Sequence, residues 1–190
     1  MPAIDLRGIK IGTYKNTNGT ISYESVQTIG DAMNVNLSLR FAEGRLYAES
    51  ALAEFIREAT GGTISIGVKY IQTAAQKVLF GAQDKTRGTG TSSVTGLVYS
   101  AKDSAKYVGV AFYAPDMIDG EKKYTCVLIK RALFGLPDMV YNTKGENITF
   151  NTPTTTGEFL PDHSANQDMF EVATVDTEAK ATAWITAALT

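Results

Sequence analysis

The side chains that could carry chemistry in this chain are few and stand apart. There is one histidine, His163, in the polar run Pro161-Asp162-His163-Ser164, and one cysteine, Cys126, inside an apolar run. A triad or a metal centre needs several such groups converging, so a lone histidine builds neither. A thiolate nucleophile needs a neighbouring base, which the chain does not obviously supply; Cys126 reads more simply as a buried small residue. Glu54 and Glu58 could pair as carboxylates for acid–base work, but their plainer role is a solvated face. Gly88-Thr89-Gly90 lacks the Gly-Lys-Ser/Thr ending that a phosphate loop requires. Basic residues are scattered without aromatic interleaving, which gives specific nucleic-acid readout no support. This inventory predicts no enzyme, no cofactor and no metal.

The bounds agree with an architectural role. A chain of 190 residues can bury one core, and nothing in it argues for a second domain. Apolar residues at 44% and charged residues at 20% are ordinary for a globular domain. A formal charge of −2 implies no general affinity for nucleic acid or anionic membrane. No run is long and apolar enough to span a bilayer, and the opening residues MPAIDLRGIK lack the apolar core of a signal peptide. One cysteine excludes an internal disulfide. The expectation is a soluble intracellular product.

The elements that must position these residues are mostly strands. Residues 1–8 form a short, loosely held arm, and a strand is expected over about 9–15. Asn16-Thr17-Asn18-Gly19 is a strong turn signal, with a returning strand through Ile21, Tyr23 and Ser25. Met33, Val35, Leu37, Leu39 and Phe41 alternate with Asn34, Asn36, Ser38 and Arg40, the pattern of a half-buried strand. Ile64, Ile66 and Val68 alternate with Thr63, Ser65 and Gly67 after Gly61-Gly62, a pair that favours a tight hairpin.

Between those runs, residues 51–60 are ambiguous. Leu52, Phe55, Ile56 and Ala59 sit at helical spacing, with Ser50 able to cap one end and Gly61 the other. A strand would put Leu52, Glu54, Ile56 and Glu58 on one face, a poor amphipathic pattern for a monomer. Tyr70–Phe80 reads as a helix ending at Gly81. Residues 82–96, rich in Gly, Thr and Ser, read as a mobile surface loop, either a plain loop or one that orders on a partner. Strands are expected at 96–100, 107–113 and 124–130, with further extended runs from 145 to 157. A final helix spans 176–189, with Asp176 able to cap it and Ala181, Trp184, Ile185 and Leu189 as its packing face. The fold class is α+β, strand-dominated and antiparallel: a sandwich or barrel with a helix after the central hairpin and a C-terminal helix.

Several blocks together resemble the major tail protein of long-tailed bacteriophages of Gram-positive hosts. They are Ala42-Glu43-Gly44-Arg45-Leu46-Tyr47-Ala48, Thr60-Gly61-Gly62-Thr63, Tyr107-Val108-Gly109, Thr143-Lys144-Gly145-Glu146-Asn147-Ile148, Phe150-Asn151-Thr152-Pro153-Thr154, Asp176-Thr177-Glu178-Ala179 and Ala183-Trp184-Ile185. The resemblance covers nearly the whole chain. It implies a single tail-tube domain whose copies close into six-membered rings. The rings' sheets join into a β-barrel around a lumen and stack into a tube that conducts DNA.

On that resemblance, 51–60 becomes a strand of the shared barrel, running on through Gly61-Gly62. Unclaimed strand edges are then paired by neighbouring subunits. The mild negative charge suits a conduit that must not hold phosphate. Glu54 and Glu58 become candidates for the lumen face. Glu43, Arg45, Tyr47 and Glu49, with the 82–96 loop, become candidates for ring stacking, Arg and Tyr being favoured at interfaces; an ordinary surface pair is the plainer role of Arg45 and Tyr47. The implied partners are copies of the chain itself and the tape measure, tail terminator and distal tail proteins, with DNA passing unbound and no membrane. The implied place is the virion, assembled in the host bacterial cytoplasm. The alternatives are another tail component of the same fold, such as a tail terminator or the tube of a phage-like injection particle, and a monomeric ligand-binding β-barrel.

Overall fold

Alternation of apolar and polar residues becomes strand almost everywhere it occurs. A computed structural model describes residues 5–48, 51–118, 120–137, 139, 143 and 152–190. Strands β1 (Arg7–Thr17) and β2 (Thr20–Thr28) form the first hairpin, followed by β3 (Ala32–Ala48) and β4 (Ala51–Val68). Helix α1 (Thr73–Phe80), β5 (Gln83–Arg87), β6 (Val94–Val98), β7 (Val108–Ile118) and β8 (Glu121–Phe134) come next. The chain then runs through β9 (Thr154–Phe159), β10 (Phe170–Val175) and α2 (Glu178–Ala188). The fold is α+β and strand-dominated, with a C-terminal helix. Residues 1–4 of the expected arm, and 145–151 of the expected extended runs, lie outside the described residues.

The antiparallel sheet has the order β2-β1-β7-β8-β9-β4-β3, and β10 also pairs with β8. Asn18 and Gly19 turn the first hairpin with φ of 52° and 86°, the left-handed values that Asn and Gly tolerate best. β8 serves two partners along one edge: its residues 124–129 pair with β10 and residues 132–134 with β9. Both faces of the sheet are covered. On one, Ile9, Ile11, Ile64, Ile66, Val110, Ile129 and Phe159 pack with Ala75 and Leu79 of α1. On the other, Tyr113, Tyr124, Cys126 and Leu128 pack with Ala181 and Ile185 of α2. Residues of β1, β4, β7, β8 and β9 share the first cluster, so the sheet curves around it.

Residues 51–60 are strand, against their helical spacing. β4 pairs with β3 from Ala51↔Ala48 to Val68↔Ala32, and that ladder outweighs ten residues of modest helix propensity. Gly61-Gly62 is not a turn. Arg40 pairs with Gly61 and Phe41 with Ala59, leaving Thr60 as the extra residue of a β-bulge. Gly61 takes φ 133°, and a Cβ on Gly62 would overlap the Ser38 carbonyl oxygen and stand 2.6 Å from the Phe159 ring. The glycines answer a bulge and a close approach.

Three further expectations change. Residues 82–96 hold a two-stranded ribbon, β5 on β6, instead of a structureless loop, with the Thr86 and Thr95 hydroxyls 2.9 Å apart. Cross-strand pairing and an ion pair from Lys77 of α1 to Asp84, 2.7 Å, hold this ribbon, whose residues are almost all exposed. Thr177, not Asp176, caps α2: its hydroxyl accepts the Lys180 N–H at 3.3 Å, and Asp176 pairs instead with the Lys180 ammonium. β3 is a strand but not half-buried in the single chain. Leu37, Leu39 and Phe41 are 43, 42 and 38% exposed, because β3 ends the sheet and nothing lies beyond it among the described residues.

Candidate functional site

β4 pairs with β9 only over residues 62–67, so beyond Gly61 the β3–β4 hairpin continues as a two-stranded arm. Paired residues share a face in an antiparallel ladder. Glu43 stands opposite Arg57, and Arg45 opposite Phe55. One face of the arm therefore carries Phe41, Glu43, Arg45, Phe55 and Arg57.

These side chains interlock. Arg57 Nε lies 3.4 Å and Arg45 Nη2 3.5 Å from the two Glu43 carboxylate oxygens. The Arg57 guanidinium sits 3.8 Å from the centre of the Phe41 ring, and that of Arg45 5.5 Å from the Phe55 ring. Each contact in this half-exposed setting contributes on the order of 1 kcal/mol or less. Their effect is to order an amphipathic face on the arm. Guanidinium stacking on aromatic rings is also how arginine and aromatics serve at interfaces.

Glu54 and Glu58 lie on the opposite face, with Ile56 between them. They keep the face-sharing expected of a strand, away from the Glu43–Arg45 pair. Neither carboxylate has an ion pair among the described residues, and Ile56 is exposed. Tyr47, 62% exposed, follows Arg45 on the same face of β3, because the extra residue of the irregularity at Leu46/Tyr47 is Ala53 on β4. Glu49 lies outside the described residues. Sequence reasoning placed Phe55 only on the apolar face of a possible helix and did not single out Arg57. The available signal was their alternation, Phe55 then Arg57, mirroring Glu43 then Arg45.

The remaining polar groups tie the scaffold together. His163 joins the 160–169 loop to two strands, with Nδ1 3.2 Å from the Tyr14 hydroxyl and Nε2 3.1 Å from Arg131 Nη1. Arginine only donates, so Nε2 accepts. Lys130 binds Asp168 at 2.6 Å, and Asp162 and Asp168 outweigh its burial and hold its ammonium pKa above the usual value. At the α2 end, the Tyr113 hydroxyl donates to Glu178 at 2.8 Å and Arg7 pairs with the same carboxylate at 3.0 Å. Both contacts, Tyr113 first, hold the Glu178 carboxyl below the ordinary range. Cys126 is buried, and burial pushes its thiol upward. Among the described residues no cluster of His, Cys, Asp and Glu could hold a metal ion, and no helix is long and apolar enough to cross a membrane.

The distinctive features among the described residues are the ordered arm and the open strand edge of β3. Comparison of the chain with protein-family models and with curated protein sequences found no match.

Proposed function

We propose that this chain is a tail-tube subunit of a long-tailed bacteriophage of Gram-positive hosts. Copies of it join edge to edge into hexameric rings, and the rings stack into a tube that conducts DNA. The observation that carries this reading is β3. It is a 17-residue edge strand whose outer backbone groups have no partner among the described residues, with half-exposed Leu37, Leu39 and Phe41 on its core-side face. A long apolar edge is an aggregation hazard that soluble monomers normally blunt. Pairing with another copy removes the hazard and buries the apolar row.

The two faces of the arm fit separate duties in such a tube. Glu54 and Glu58 are suited to the wet lumen wall, where carboxylates repel the phosphate backbone and let DNA slide. Glu43, Arg45 and Tyr47 are suited to contacts between rings. The tape measure, tail terminator and distal tail proteins would be the remaining partners, in the virion.

Negative-stain electron microscopy of the concentrated protein tests the reading. Long hollow filaments or uniform stacked rings are expected. Isolated particles of single-chain mass by light scattering, at every concentration, would favour a monomeric barrel instead. Single rings that never stack would favour a tail terminator.

A further inference from the structure

The two ends of the sheet are treated differently. At the β2 end, Ser25 takes a left-handed φ of 53° beside a register shift, and the outward Tyr23 N–H donates to the Thr190 carbonyl at 3.3 Å. A bulge and a filled donor are the means by which an edge is closed to pairing. At the other end β3 is bulged only at its start, where Met33 is extra between Ala32 and Asn34, and beyond it the outer side has no backbone partner among the described residues. β10 presents the second open edge: it pairs with β8 on one side, and its outer side has no backbone partner among the described residues.

The two open edges carry matching triplets. On β3, Leu39 and Phe41 flank Arg40; on β10, Phe170 and Val172 flank Glu171. All four apolar side chains are half-exposed. Val172 pairs with Val127 and Phe170 with Ile129, which places them on the same core-side face that Leu39 and Phe41 occupy on β3. Arg40 and Glu171 point to the other face, where Arg40 also lies 3.6 Å from the exposed Glu158 carboxylate. Pairing either triplet with its own copy sets Arg40 against Arg40, or Glu171 against Glu171, and like charges directly opposite are destabilising. Pairing one triplet with the other sets apolar beside apolar and cation beside anion.

We infer that β3 of one copy adds to the free edge of β10 of the next, joining Leu39-Arg40-Phe41 to Phe170-Glu171-Val172. This rests on the self-assembly reading above and names the two surfaces that meet. The contact is head-to-tail, so it propagates around a ring, with β2 kept out of it.

Blocking one edge at a time tests the pairing. Leu39→Lys closes β3 and Val172→Lys closes β10, each at a half-exposed site that leaves the core untouched. Sedimentation should show the unmodified chain assembled and each variant monomeric. An equimolar mixture of the two should stop at a dimer, because each variant retains one complementary edge. Assembly of either variant like the unmodified chain, or a mixture that stays monomeric, overturns the pairing while leaving self-assembly standing. Dimers of Val172→Lys alone would show β3 pairing with β3, and also overturn it. An unmodified chain that stays monomeric at all concentrations sinks the ring reading itself. As an independent measure, a chain carrying Leu39→Cys and Val172→Cys should give a covalent ladder on oxidation, since Cys126 is buried. Dimers from Leu39→Cys alone, or no ladder from the double variant in assembled material, count against the inference.

Discussion

The Arg57 guanidinium lies 3.8 Å above the Phe41 ring, and it does so because β4 contains one residue more than β3 at Thr60. Side chains alternate with a period of two along a strand, so one extra residue exchanges the faces beyond it. Without the bulge, with Thr60 paired to Phe41, the ladder would set Glu58 opposite Glu43. With it, Arg57 takes that place, and the two glutamates part to opposite faces.

Deleting Thr60 should therefore spare both the core and the pairs of the arm. Only the unpaired residue is lost, so Phe41 stays opposite Ala59 and Glu43 opposite Arg57 in a now regular ladder. Thermal unfolding by circular dichroism should stay close to that of the unmodified chain, and sedimentation should show assembly kept. Assembly lost on the deletion would mean that the bend the bulge gives the arm is needed as well as its face assignment.

Gly62→Ala should act on the core directly. The new methyl would meet the Ser38 carbonyl oxygen and the Phe159 ring, and Phe159 is fully buried. Overpacking of this kind costs about 1–3 kcal/mol. Gly44→Ala, with open space around it, is the control and should change stability by less than about 1 kcal/mol. Urea denaturation of the two variants separates them, and equal midpoints would refute the close approach.

The Glu178 contacts predict an acid-sensitive α2. Its folded pKa is depressed, so its contribution is present above the ordinary value of 4.5 and fades as pH falls through the lower folded value. Melting curves of the unmodified chain and Glu178→Gln, recorded between about pH 3 and pH 6, should differ most at the upper end and converge at the lower. A gap that widens on acidification would contradict the sign.

Cys126 should be silent toward thiol reagents in the native chain. It is covered by α2 and its thiol pKa is raised by burial, which together keep the thiolate scarce. Labelling with an aromatic disulfide reagent should begin only when denaturant unfolds the protein. Rapid native labelling would mean that α2 does not stay docked.

Strand positions were legible wherever alternation met a turn residue. Asn18-Gly19 and the Met33–Phe41 run gave β1, β2 and β3 from local rules alone, and Gly81 marked the end of α1. Residues 51–60 were not legible, because their spacing fits a helix as well as a strand and only the β3 ladder decides between them. The ribbon at 83–98 was hidden for a related reason: threonine and glycine mark both loops and short cross-strand pairs. At α2, Thr177 and Asp176 are both good caps, and the geometry of the preceding strand chose Thr177.

The sequence by itself determined the composition of the arm and the absence of a second histidine or cysteine to build a reacting centre with His163 or Cys126. Only the tertiary structure decided that Glu43 meets Arg57 and not Glu58, and that β3 ends the sheet with Leu39 half in water. Both depend on register and strand order, which are set by pairing between residues far apart in the chain. A local pattern records which residues can share a face, but the bulge and the neighbour decide which face it is.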